Sequence, residues 1–89
     1  MSYWEALDQK GSMRVLLTLL ENGEKNITEL RQIEGVGLNA LYNVLEGLKS
    51  IDLVVERTGG FRARLFSLSS KGTRIANHIK SIKEDFEQS

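Results

Sequence analysis

The chain has 89 residues, with 12 basic and 12 acidic side chains and no formal net charge; that length fits a single domain over 1–89 with a modest core, often helped by a partner subunit. Its composition is globular, 40% hydrophobic and 27% charged, and the absence of cysteine excludes disulfides, thiolate metal sites and a cysteine nucleophile. No apolar run approaches the ~18 residues of a membrane span, and MSYWEALDQKG lacks the basic start and apolar stretch of a signal peptide, so a soluble cytoplasmic protein is expected.

Ser2 and Glu5 have capping-box spacing and predict a short helix over 2–9, ended by Gly11 and Ser12. In 13–22, Met13, Leu16, Leu17 and Leu20 recur at helical spacing, with Gly23 as a stop. Val15 and Leu19 make this helix apolar on a second side. It should be central, covered by Trp4 and Leu7, the C-terminal helix or a second subunit. Asn26 and Glu29 repeat the capping-box spacing and start ITELRQIE, with Leu30 and Ile33 expected inward. After the turn Gly35-Val36-Gly37, a longer helix over 38–50 carries the stripe Leu38, Leu41, Val44, Leu45 and Leu48. Its other positions, Asn39, Tyr42, Asn43, Glu46 and Lys49, can face solvent.

LVVERT (53–58) and FRARLFSL (61–68) are rich in β-branched and aromatic residues, with Gly59-Gly60 between them. That spacing predicts a hairpin with a two-residue turn. It would pair Thr58 with Phe61, Arg57 with Arg62, and Val55 with Arg64. Arg57, Arg62 and Arg64 would then share one face, above Leu53, Val55, Phe66 and Leu68. A last helix over 70–86, capped by Ser69, repeats Ile75, Ile79, Ile82 and Phe86. The expected class is mainly α with a small β-hairpin: two helices across a glycine turn (27–50), then a wing hairpin (53–68), which spells a winged helix-turn-helix.

ITELRQIEGVGLNALYNVLEGLKSIDLV (27–54) resembles the helix-turn-helix of MarR-like and ArsR-like transcription regulators. MRVLLTLLENGE (13–24) is similar to their first core helix, and RLFSLSSKG (64–72) to the wing's return strand and the start of their last helix. The resemblance covers about residues 13–72 and rests on the ordered set of motifs. Asp52 stands where the family has glycine, and Ser69 where threonine is usual. The chain is shorter than a typical MarR-like regulator. With one histidine and no cysteine, it carries no ArsR-style metal site, and no cofactor is expected.

The neutral total hides an asymmetry. From Arg57 to Lys83 there are seven Lys or Arg and no acid, and local field is what an anionic partner meets. The expected DNA-contact residues are Asn39, Tyr42 and Asn43 on the second helix, which read base edges in a recognition helix. Thr28 and Arg31 join them at the preceding helix, Lys49 on the backbone, and Arg57, Arg62 and Arg64 on the wing, where arginine suits phosphate and narrow grooves. Glu46 would repel phosphate and mark the end of close contact. His78 is expected as a surface or packing residue. Trp4, Leu7, Ile79, Ile82 and Phe86 are expected at a homodimer interface. The leading function is sequence-specific binding of double-stranded DNA by a small transcription regulator, with repression the simplest mechanism. The alternative is a winged-helix module that binds another protein. An enzyme is not expected, since little is present to build an acid–base pair.

Overall fold

A computed structural model describes residues 2–88, apart from the side chain of Arg62, which lies outside the described set. Helix α1 (Tyr3–Asp8) starts at Ser2, whose hydroxyl accepts the Glu5 amide. Its one buried residue is Ala6, and the helix packs against the segments Ser12–Asn22 and Leu38–Ser50. Helix α2 (Ser12–Asn22) begins one residue earlier than its apolar pattern suggests. Ser12, expected to end a helix, is buried and donates its hydroxyl to the Ala6 carbonyl at 2.6 Å. That bond satisfies an orphan carbonyl at the end of α1 and ties the two helices together. Val15, Leu16 and Leu19 belong to the core, and the last helix, Ser70–Gln88, packs along α2. Leu7 packs against this core, but Trp4 is exposed and does not cover it.

Two residues, Lys25–Asn26, form strand β1. Helix α3 (Ile27–Glu34) follows, opened by a complete capping box: Asn26 Oδ1 accepts the Glu29 amide and a Glu29 carboxylate oxygen accepts the Asn26 amide. Gly35, with φ 65°, takes the left-handed conformation that ends the helix, and its amide donates to the Arg31 carbonyl. Leu30 is buried, whereas Ile33 is exposed, contrary to expectation. Ile33 is rotated off the line of Leu30 and faces the rim of a groove shared with Arg14, Thr18 and Lys83.

Helix α4 (Leu38–Ser50) buries Leu41, Val44, Leu45 and Leu48 as the stripe predicts, but Leu38 is exposed at its first turn. Asp52 has φ 62°, the left-handed position that the resemblance assigns to glycine. Asp is among the few residues that tolerate it.

Strands β2 (Val54–Thr58) and β3 (Arg64–Leu68) complete an antiparallel sheet of order β1-β3-β2. Here the structure corrects the two-residue turn. Thr58 pairs with Arg64 and Arg57 with Leu65, so residues 59–63 form the loop. The partner of Thr58 is Arg64 instead of Phe61, a slip of three residues (64 against 61). An odd slip moves side chains to the opposite face. The observed register places Val54 and Phe66 together on the core, both buried, which fixes it. Val55 consequently turns outward and is exposed. β1 also holds β3 in place, pairing Lys25 with Phe66 and Asn26 with Leu65. Neither wing glycine has positive φ; the left-handed residue of the loop is Phe61, at φ 58°.

Helix α5 (Ser70–Gln88) is capped by Ser69, whose hydroxyl accepts the Gly72 amide at 2.9 Å and donates to the Asp52 carbonyl at 2.6 Å. Gly72 is small for a reason of space: a Cβ there would stand 1.9 Å from the Leu53 carbonyl oxygen. The last helix can therefore start directly against the chain that enters the wing.

Candidate nucleic-acid interface

The glycine turn sets α4 beyond α3, and its first half presents polar side chains. Asn39 and Asn43 are exposed and Tyr42 is half-buried. Gly37 precedes the helix without a side-chain cap. The first-turn amides of α4 are therefore open to an acceptor from outside, and the helix dipole favours an anion there. Thr28 and Arg31 are exposed on α3. The capping box changes what that helix end offers. The Glu29 amide is taken by Asn26, and the Glu29 carboxylate sits at the same terminus. A phosphate would meet an acid there.

The wing differs most from expectation. In the observed register Arg64 lies on the face of Glu56, Phe66 and Thr58, while Arg57 lies on the opposite face with Leu65 and Ser67. The single arginine face does not form, and the place of the Arg62 side chain in it lies outside the described residues. Arg57 reaches across β3 to Glu24, just before β1, with Nε and an Nη nitrogen each donating at 2.7 Å. Arg64 grips Glu56 with two bonds, at 2.6 and 2.9 Å, and touches Glu46 at 3.3 Å. Lys49 donates to the same Glu56 at 2.7 Å.

Glu56 is therefore the centre of a small network that joins the wing to α4. Hydrogen bonds from Arg64 and then Lys49 hold its carboxyl at about 2, well below the usual carboxylate range. The bond to Glu56 in turn raises the Arg64 and Lys49 pKa values. On the outer face the Arg57 bond lowers the pKa of Glu24. The Arg64 guanidinium also lies 5.1 Å from the Tyr42 ring centre and 5.5 Å from that of Phe66, within cation–π range of both. Tyr42 is thus a platform for the wing as much as a surface group. Glu46, expected only to mark the end of close contact, shares Arg64 and Lys49 with Glu56.

Sequence reasoning missed Glu24 and Glu56 because both depend on register. Under the expected pairing Glu56 faces away from the arginines. Glu24 stands just before a strand of two residues, too short to show any alternation. The one available signal was position: Glu56 adjoins Arg57 in a segment otherwise free of acids until residue 84.

Among the expected dimer residues, Trp4, Ile82 and Phe86 are exposed, whereas Leu7 and Ile79 pack against the core. Among the described residues no helix is long and apolar enough to cross a membrane.

No family model matches the sequence, and no curated protein matches it. Solved structures do. A possible HxlR-family transcriptional factor from Thermoplasma volcanium aligns with a TM-score of 0.82 at 22% identity, over 98% of this chain and 80% of that one. A mutant MarR from E. coli gives 0.81 at 24% identity, over 97% of this chain and 66% of its own, so the present chain spans about two thirds of it. The transcriptional repressor BigR from Xylella fastidiosa gives 0.77 at 25% identity, over 90% and 78%. The chain has the winged helix-turn-helix fold of HxlR- and MarR-type transcription regulators.

Proposed function

We propose that this chain is a cytoplasmic transcription regulator that binds double-stranded DNA sequence-specifically, as a homodimer, and represses by occupying a promoter. The observation that carries this reading is the first half of α4. It combines exposed Asn39 and Asn43 with an uncapped first turn, on the second helix of a winged helix-turn-helix. Asparagine can bond adenine through two atoms in the major groove, and open helix amides suit the flanking phosphate. Arg31 supplies a phosphate contact from α3. Arg57, Arg64 and Lys49 act mainly through their carboxylate partners, as the frame that sets the wing against α4. Exposed Trp4, Ile82 and Phe86 supply the apolar surface for a second copy, which would place two α4 helices about one DNA turn apart.

Selection from a random duplex pool tests this directly, followed by titration of recovered sequences. Asn39→Ala should weaken the best duplex about tenfold and relax preference at one base pair, within the range of one bidentate contact. Arg31→Ala should lower the salt slope by about 0.9 while leaving preference alone. Ile82→Glu should shift a dimer to monomer in sedimentation. A pool from which no duplex is enriched would overturn the reading.

One observation favours a second reading, a module that binds another protein: Lys49, Arg57 and Arg64 are each matched by a carboxylate. A partner held through apolar surface would then bind with little dependence on salt, the opposite of DNA.

A further inference from the structure

The loop 59–63 is ordered by its own backbone. The Gly59 amide donates to the Ala63 carbonyl at 2.7 Å, and the Ala63 amide to the Gly60 carbonyl at 3.2 Å. At its apex stands Phe61. It is fully exposed, at 107% of its reference area, and its backbone is left-handed, with φ 58° and ψ 29°. Both facts run against ordinary physical preference. A large aromatic ring gains by burial, and a bulky L-residue at positive φ is a strained outlier. The two glycines beside it, which would take that conformation freely, do not use it. A loop that holds an aromatic ring outward at a cost in backbone strain is a candidate contact point.

The surroundings say what the ring meets. Three residues on, Arg64 lies over Tyr42 of α4, so the strand that leaves the loop is anchored on the helix that carries Asn39 and Asn43. No acidic residue lies between Arg57 and Lys83. Arg57 and Arg64 are held by Glu24 and Glu56, and among the wing's described residues Phe61 is the most exposed large apolar side chain. An apolar ring beside a polar reading helix fits the minor groove of duplex DNA, where Phe, Leu and Ile wedges enter between base steps and partly unstack them.

We infer that Phe61 is a wedge that enters a base step of the bound duplex beside the site read by α4. This rests on the DNA-binding reading proposed above. The wing's contribution is then stacking and deformation of DNA, with the arginines serving to aim it. The step entered should be a flexible pyrimidine–purine step, where unstacking is cheapest.

The test uses the full chain and a duplex recovered by selection, with 2-aminopurine placed in turn at each step flanking the α4 site. Wild-type protein should brighten the probe at one step. Phe61→Ala should abolish that signal and weaken binding about tenfold, in line with the loss of one stacked base. The salt slope should not change, because no phosphate contact is lost. Phe61→Gly guards against a folding artefact: glycine accepts the left-handed position, so it should bind as weakly as Phe61→Ala yet melt no lower than wild type. Phe61→Trp should keep the signal. If the wild type binds duplex but Phe61→Ala binds equally, with no probe brightening in either, the wedge is refuted and the DNA reading stands. If the wild type binds no duplex, both fall. If Phe61→Ala instead loses attachment to anionic vesicles while duplex binding is intact, the ring belongs to a membrane contact and the inference is wrong.

Discussion

Replacing Glu56 by Gln keeps the shape of the side chain and removes one charge from the centre of the wing network. Glu56 accepts from Arg64 at 2.6 and 2.9 Å and from Lys49 at 2.7 Å. Without it Lys49 and Arg64 keep only their longer contacts to Glu46, at 3.5 and 3.3 Å. The side chains are 20% exposed at Glu56, 39% at Arg64 and 30% at Lys49. Exposed ion pairs are worth about 0–1 kcal/mol, and breaking a buried one costs about 3–5 kcal/mol. This site lies between the two, nearer the exposed limit, so Glu56→Gln should cost about 1–2 kcal/mol. For a domain of this size that is a fall in melting temperature of about 5–15 °C. The pH dependence has a definite sign. The folded carboxyl is held at about 2, below its ordinary value of 4.5. Its contribution is therefore complete above about pH 4.5 and disappears as the pH falls through about 2. The gap between wild type and variant should be constant from pH 7 to pH 5 and close towards pH 2 in thermal melts followed by circular dichroism. The DNA-binding reading adds a second expectation: two released cations should steepen the salt slope by up to about 1.8. A variant as stable as wild type at pH 7, or a gap that widens on acidification, would refute the network's role.

Other substitutions probe the frame. Gly72→Ala would drive a methyl to 1.9 Å from the Leu53 carbonyl oxygen. Overpacking against backbone costs about 1–3 kcal/mol, more than the ~0.5–1 kcal/mol gained by replacing glycine in a helix. Denaturant titration should show a net loss. Gly60→Ala, where nothing lies within 4 Å of the new methyl, should change stability little, and equal behaviour of the two would remove the close-contact explanation. Asn26→Ala should cost about 1 kcal/mol as a lost N-cap. Combined with Glu29→Ala it should cost less than the sum of the two, since both belong to one capping box; strict additivity in a double-mutant cycle would argue against the reciprocal bonds.

Much of the architecture is local physics and can be read along the chain. The capping box at Asn26 and Glu29, the left-handed turn at Gly35 and the apolar stripe from Leu41 to Leu48 each need only neighbouring residues. They place α3 and α4, and with them the exposed Asn39 and Asn43. Gly72 is visible too, though its reason is not: the Leu53 carbonyl that forbids a side chain is 19 residues away (72 against 53). The wing is where local signals mislead. Gly59-Gly60 favours a two-residue turn, but burying Val54 and Phe66 together, with β1 pairing on the far side of β3, selects another register. That choice is made by the core and not by the turn. It separates Arg57 from Arg64, gives each a carboxylate, and leaves Phe61 at the apex. A hairpin's period is two residues, so an odd slip exchanges its faces completely. Sequence alone therefore determined that this protein carries a helix pair and a basic wing; tertiary packing decided which side chains that wing presents.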